Sequence, residues 1–324
     1  MDTLFGRALF WLISGIVRIG FRFFRLLESV LPQEVLSIIV WPVAILWSLT
    51  ESDKRRRVTE AWRRFPESFR PDRVDYYLIQ TFGLTHARFI YLWADRLPRA
   101  HWRRRCILRG HYDSEKLRRP TKPIIFATLH FGPSQVLFVC LRAHGIPVTV
   151  LVGPEKEPRQ RLRQQFVNLK LSAPVDIPPV LPATDIGRIR RNLVPGRFLL
   201  VSMDVDRGKQ IRTTIDGQSF RLATGPLRLA SVLGAEVIPC LICFEKGAWK
   251  VAIHFGAPVP PGYLNGSLNL EAAVNHILGE FWPLIHSNPS QVSHKLLSCM
   301  NVDDTPAVRE ATDDELLASL PYFT

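Results

Sequence analysis

The chain's strongest chemical signal is the run Leu129-His130-Phe131-Gly132-Pro133-Ser134-Gln135. A histidine leaves an apolar stretch and meets a Gly-Pro turn before helix-like sequence. Imidazole changes charge near neutral pH, so such a residue can serve as a general base. The turn that follows a strand is where α/β folds present reactive groups. A lone histidine is more often structural, so the surrounding sequence has to decide. A second signal is Asp204-Val205-Asp206-Arg207-Gly208. Carboxylates two residues apart face one side of a continuing strand and could share one cleft. If the turn towards Gly208 breaks the alternation first, only one points inward, and plain turn chemistry is the competing reading. Cys240 and Cys243 form a C-x-x-C, but no second pair has metal-ligand spacing, and both lie in the apolar run Glu236–Phe244. Two buried thiols are expected there, and no metal. His111, His144 and His254 have no comparable setting and are expected to be surface or satisfied histidines.

These groups need elements to hold them. Pro123–Leu129, Val148–Val152, Phe198–Met203 and Val237–Phe244 are short apolar runs of strand length, and Trp249–His254 alternates like an edge strand. Between them, Val136–Ala143, Arg159–Leu171, Thr184–Leu193 (capped by Thr184 and Asp185), Gly225–Leu233 and Asn269–Phe281 read as helices. The alternation predicts an α/β domain with a mixed central sheet flanked by helices. Neither G-x-G-x-x-G nor G-x-x-x-x-G-K-[ST] occurs, nor a G-x-S-x-G elbow. A kinase, a dehydrogenase and an ordinary α/β-hydrolase are therefore disfavoured.

The 324 residues carry a formal net charge of +13 with 47% hydrophobic residues, which excludes a disordered chain. Residues 1–122 hold 23 Lys+Arg against 12 Asp+Glu, whereas 123–324 hold 19 against 17, so the excess belongs to the N-terminal third. There, Arg7, Ser14, Arg18, Arg22, Arg25 and Ser29 fall on one narrow stripe of a helix that is otherwise Leu, Ile, Phe and Trp. Such a helix suits lipid, with its arginines at phosphate level. No small-residue cleavage site follows its short apolar core, so a signal peptide is not expected. A second apolar run, Val35–Leu49, has 15 residues and a central Pro42. That is short of the roughly 20 residues a spanning helix needs, which favours an interfacial or re-entrant segment over a single spanning anchor. Lys54, Arg55, Arg56 and Arg57 follow at once, as suits an anionic cytoplasmic leaflet. Further basic groups at Arg63, Arg64, Arg99 and Arg103–Arg105 sit beside Trp62, Trp93 and Trp102, with no nucleic-acid-binding signature. Anionic membrane lipids are the expected partner, and nucleic acid is not. The five cysteines are odd in number and lie in apolar settings, which fits a reducing compartment.

With these residues in view, the chain resembles the bacterial lipid A biosynthesis acyltransferases of the lysophospholipid acyltransferase superfamily. The resemblance runs from the N-terminal apolar segment to about Val259. It rests on Pro123–Gln135 with its H-F-G, on Gly145-Ile146-Pro147-Val148-Thr149-Val150, on the D-x-D-x-G of Asp204–Gly208, and on Thr224-Gly225-Pro226-Leu227-Arg228-Leu229-Ala230 continuing through Gly234–Pro239. It implies O-acyl transfer to a lipid or glycolipid hydroxyl at the cytoplasmic face of the bacterial inner membrane, by a monotopic or single-pass protein. The donor it implies is a thioester of acyl carrier protein or coenzyme A, with no further cofactor.

In that family an H-x4-acid motif supplies the base and its orienter, and His130 falls on the histidine. Gln135 stands at the acid position, where a neutral amide can hold the imidazole tautomer by a hydrogen bond but cannot stabilise the imidazolium as a carboxylate does; the expected site is a Gln-supported histidine, with Asp204 or Asp206 as the alternative in the acid's role. Val152-Gly153-Pro154 replaces the family's arginine-proline segment, leaving Lys156, Arg159, Arg161 or Arg207 to compensate. The expected catalytic set is His130, Gln135, Asp204 and Asp206. The expected substrate-binding set is Phe131, Gly132, Lys156, Arg159, Arg207, Thr224 and Arg228. The expected organisation is a membrane-associated hairpin or anchor over 1–60, a basic helical segment over 61–122, the α/β domain over 123–300 and an acidic tail over 301–324. Two other readings compete: a catalytically impaired homologue that binds lipid or acyl carrier, and a different transferase or hydrolase on a related fold.

Overall fold

In the computed structural model, residues 59–63, 65–72, 76, 79, 106–112, 117, 120–152, 180–205, 208–245, 250–264 and 269–300 are described. The chain divides into Met1–Ser52 and Asp53–Thr324, and all of the described residues belong to the second unit. The membrane hairpin expected over 1–60, all but its last two residues, the helix expected over Arg159–Leu171 and the acidic tail lie outside them. Among the described residues no helix is long and apolar enough to cross a membrane.

The core is a seven-stranded sheet. Its strands are β1 (Cys106–Gly110), β2 (Ile124–Thr128), β3 (Val148–Val152), β4 (Val180–Pro182), β5 (Phe198–Ser202), β8 (Glu236–Phe244) and β9 (Val251–Phe255), with β6 (Gln210–Ile215) and β7 (Gln218–Ala223) forming a separate hairpin. The order is β1-β9-β8-β2-β5-β3-β4. Every neighbouring pair is parallel except β8 and β9, which are antiparallel. The mixed α/β class expected from the sequence is the one observed.

The central strands are apolar throughout because both of their faces are covered. Successive side chains alternate between two cores. Ile125, Ala127, Leu199, Val237 and Leu241 face one core, shared with helices α3 (Gly225–Leu233), α5 (Leu270–Ser287) and α6 (His294–Cys299) and with the hairpin. Ile124, Phe126, Phe198, Leu200, Ile238 and Cys240 face the other, filled from helix α1 (Leu137–Ala143). Caps set the helix starts. Asp185 accepts from the Arg188 amide at 3.0 Å ahead of α2 (Ile186–Asn192), and Asn269 accepts from the Ala272 amide at 3.0 Å ahead of α5. A short helix, α4 (Pro261–Leu264), leads into α5.

Three expectations need correction. Cys106–Gly110, assigned above to a basic helical segment, is a strand paired with β9, so the sheet begins before Pro123. In consequence β9 lies inside the sheet and is not its edge. The β6–β7 hairpin was not expected, because its strands QIRTTI and QSFRLA are largely polar. Its turn, Asp216-Gly217, places both residues at positive φ (46° and 74°), as a two-residue mirror-image turn requires. All five cysteines are free and buried, Cys240 and Cys243 within β8.

Candidate active site

The site forms where β2 and β5 end side by side. Their register pairs Thr128 with Ser202. The ladder continues past the strand ends, since the Met203 amide donates to the Thr128 carbonyl at 2.8 Å. Two residues beyond each paired end, His130 and Asp204 are thereby brought level. Their contact follows from strand pairing, and it lies at the carboxyl ends of parallel strands, where open α/β sheets bind ligands.

Asp204 makes two bonds to His130. The His130 backbone N–H donates to Oδ2 at 2.8 Å, and Nδ1 lies 2.8 Å from Oδ1. The Asp204 side chain is fully buried, while that of His130 is 26% exposed. A buried carboxylate is stable only when donors meet its lone pairs, and His130 supplies two.

The loop carrying Asp204 is clamped on both sides. The Ala223 amide at the end of β7 donates to the Met203 carbonyl at 2.8 Å, and Gln210 Nε2 donates to the Val205 carbonyl at 2.6 Å. The hairpin's polar strands thus fix the acid's loop. Trp282 Nε1 donates to Asp216 at 2.6 Å, and Thr213 bonds to Asn275, so α5 holds the hairpin in turn.

The other edge of the imidazole meets Lys295. Its Nζ lies 3.3 Å from His130 Nε2. An ammonium only donates, so Nε2 must accept; a carboxylate only accepts, so Nδ1 must carry the hydrogen. The two neighbours together assign the Nδ1–H tautomer, with the Nε2 lone pair directed outward. Lys295 is placed by the segment before it. Gln291, buried, accepts from the Phe244 amide at 2.8 Å through Oε1 and donates to the Phe244 carbonyl at 3.0 Å through Nε2. The Gln291 backbone carbonyl accepts from the Gly132 amide at 2.8 Å, and Val292 bridges to Phe131. Ser293 then caps α6 by accepting from Leu296 N at 3.2 Å. Leu296, Leu297 and Cys299 turn inward, and Lys295 stays exposed beside His130.

Several expected site residues are packed into the core. Phe131 is fully buried in the core. Gly132 has φ +50°, and a Cβ there would lie 2.5 Å from the Ile242 carbonyl oxygen. Its only N–H is spent on the Gln291 carbonyl. Thr224 is fully buried, with its hydroxyl donating to the Lys209 carbonyl at 3.0 Å. In the structure the side chains of Phe131 and Thr224 are covered, and the Gly132 N–H and the Thr224 hydroxyl are committed to hydrogen bonds. Arg228, on α3, is half-buried, and its Nε is buried without a hydrogen-bond partner. Gln135 lies in the short 3-10 turn Ser134–Val136, with its side chain outside the described residues, as are Lys156, Arg159, Asp206 and Arg207. Gln291 and Lys295 were not anticipated, and nothing in their residue types or spacing marks them.

No protein-family model matches the chain, and no curated protein sequence matches it. Among solved structures, it is similar to the 1-acyl-sn-glycerophosphate (LPA) acyltransferase PlsC from Thermotoga maritima, at 13% identity and a TM-score of 0.35, over 65% of this chain and 93% of that one.

Proposed function

We propose that this protein is a membrane-associated acyltransferase that moves a fatty acyl group from an acyl thioester to a lipid or glycolipid hydroxyl, with His130 as general base and Asp204 as the acid that orients it. The observation that carries the reading is the buried Asp204 carboxylate bonded to both the backbone N–H and the Nδ1 of His130. The sequence resemblance supplies the reaction class. Where that family's motif has its acid, this chain has Gln135, and the Asp204 carboxylate, two residues beyond the neighbouring strand, meets the imidazole. The impaired-homologue reading rests on the changed acid and on the missing arginine, and the Asp204 contact weighs against the first of these.

The chemistry follows from the assigned tautomer. The acceptor hydroxyl docks on Nε2, gives up its proton there and attacks the thioester carbonyl carbon. The carbonyl π pair moves onto oxygen. The resulting imidazolium holds its second N–H on Asp204, whose charge stabilises it. Collapse of the tetrahedral intermediate reforms the carbonyl and breaks the C–S bond. The leaving thiolate then takes the proton from Nε2, which restores the base. A thiolate leaves readily, so no covalent enzyme intermediate is needed.

The basic, apolar N-terminal third favours the cytoplasmic face of the inner membrane, beside anionic lipids and carrier-bound or coenzyme A-bound acyl groups. The sequence resemblance puts lipid A precursors first among the acceptors to try, followed by lysophospholipids, other glycolipids and aminolipids. The test compares lipids by mass spectrometry in cells with and without the gene, and in cells carrying His130→Ala. A lipid that gains one acyl chain only with the wild-type gene is expected. The same acylated lipid at undiminished level in His130→Ala cells would sink the mechanism.

A further inference from the structure

Resting on the acyl-transfer reading above, we propose that Lys295 is a catalytic residue of this site: its ammonium moves from Nε2 of His130 onto the oxyanion that forms as the hydroxyl attacks. Lys295 lies outside the stretches that carry the sequence resemblance, at a separation of 165 residues from His130. Nζ lies 3.3 Å from Nε2, the atom that must receive the hydroxyl's proton. Nε2 has one lone pair in the ring plane, so the ammonium and the incoming hydroxyl cannot both use it. The ammonium therefore gives way when substrate docks. Lys295 is exposed on a flexible stem, and among the described residues it has no carboxylate partner. Little holds it in place, and a displacement of roughly one atomic diameter leaves it beside the oxygen that has displaced it.

The carbon under attack is one bond from that oxygen, and the oxyanion is one bond further. A cation that vacates Nε2 is thus within hydrogen-bond reach of the negative charge as it develops. The site needs such a donor. The Gly132 amide is committed to Gln291 and the Phe131 amide to the Leu129 carbonyl at 2.8 Å, so the turn after β2 offers no free N–H at either position. The strap from Pro289 to Cys299, pinned by Gln291 to Phe244 and Gly132, holds the base of the lysine stem in place.

The experiment uses the full-length chain in detergent micelles. Radiolabelled dodecanoyl thioesters of coenzyme A and of acyl carrier protein are the donors, and a total polar lipid extract is the acceptor pool. Wild type, His130→Ala, Lys295→Met and Lys295→Arg are compared. Lys295→Met is expected to lower kcat by about 100- to 1,000-fold with KM for the thioester changed less than about threefold, as for loss of one oxyanion donor. Lys295→Arg, which keeps a cationic donor, is expected to recover part of that loss. If wild type transfers and His130→Ala does not, while Lys295→Met keeps kcat, the role of Lys295 is overturned and the acyl-transfer reading survives. An effect confined to KM overturns it equally. If wild type transfers nothing from either donor, the acyl-transfer reading falls and the role of Lys295 falls with it. Thermal melting of Lys295→Met checks that the exposed substitution leaves the fold intact.

Discussion

Asp204→Asn is the sharpest probe of the site, because it separates geometry from charge. The amide is nearly isosteric with the carboxylate, and its Oδ1 can still accept the His130 backbone N–H now held at 2.8 Å. Its Nδ2 then faces Nδ1 as a donor, where the carboxylate accepted at 2.8 Å. Two donors cannot bond, so Nδ1 gives up its hydrogen and the imidazole carries it on Nε2. That tautomer fails twice: Nε2 has no lone pair for the hydroxyl's proton, and its N–H points at the Lys295 ammonium. A wrong-tautomer triad of this kind loses about 10⁴-fold in kcat, or about 5.4 kcal/mol of transition-state stabilisation. Stability should change far less, by about 1 kcal/mol, the net worth of one hydrogen bond. Asp204→Ala is a poorer probe, because it leaves the half-buried His130 N–H without a partner and mixes folding with chemistry. The assay is single-turnover transfer from a radiolabelled thioester, with thermal melting as the fold control and imidazole ¹⁵N shifts reading the tautomer. A folded Asp204→Asn protein with kcat within about tenfold of wild type would refute the orienting role.

Four further outcomes are expected. Gln135→Glu should change kcat by less than about threefold, because Nδ1–H makes one hydrogen bond and Asp204 already accepts it; steady-state kinetics decide, and a large gain would move the acid's role to position 135. Gly132→Ala puts a Cβ 2.5 Å from the Ile242 carbonyl oxygen at a φ of +50°, so it should destabilise by more than about 1 kcal/mol and lower the melting temperature. Gln291→Leu strips both the N–H and the carbonyl of Phe244 of their partner, at about 1–3 kcal/mol for each buried group, and should loosen the strap that carries Lys295; denaturant unfolding measures the first effect and transfer kinetics the second. Burial, with the charge of Arg109 adding and that of Glu245 opposing, holds His254 below its usual value of 6.5. The unfolded chain therefore binds this proton more readily, so the contribution is full above pH 6.5 and is lost as pH falls below it; His254→Asn should flatten the melting-temperature profile on the acid side.

Strands buried on both faces were legible because nothing competes with their apolar signal. Val148–Val152 has the ends read from the sequence, Phe198–Ser202 stops one residue short of the expected Met203, and the helix Gly225–Leu233 likewise has its expected ends. Strands with one wet face were not legible. β1 exposes Arg109 and Gly110 and follows three arginines, so its composition reads as a basic helix, and only its pairing with β9 makes it a strand. In β6 and β7, polar side chains hide the period, although Asp216-Gly217 was a usable hairpin signal. β9 was misread as an edge because alternation reports how side chains are covered, and β1, its neighbour in the sheet, is about 140 residues away in sequence.

The site divides in the same way, according to whether a residue's role is local. His130 stood out because a strand end and a Gly-Pro turn are adjacent in sequence. Asp204 and Asp206 could not be ranked, because the choice depends on the β2–β5 register, which pairs Thr128 with Ser202 and so carries His130 opposite Asp204. Phe131, Gly132 and Thr224 drew attention through the motifs they occupy, and in the structure they meet packing demands: a buried ring, a glycine pressed against a carbonyl, and a hydroxyl bonded to the Lys209 carbonyl ahead of β6. Lys295 and Gln291 carry no local mark, since their roles exist only once the C-terminal strap lies against Phe244 and Phe131. On the proposed mechanism, a base whose acid lies just beyond the next strand and whose cation sits on the strap after α5 depends on the whole sheet being assembled. Substitutions that loosen the strap, such as Gln291→Leu, should therefore lower kcat and the melting temperature together, since the strap that carries Lys295 also lends Val292, Leu296 and Leu297 to the core.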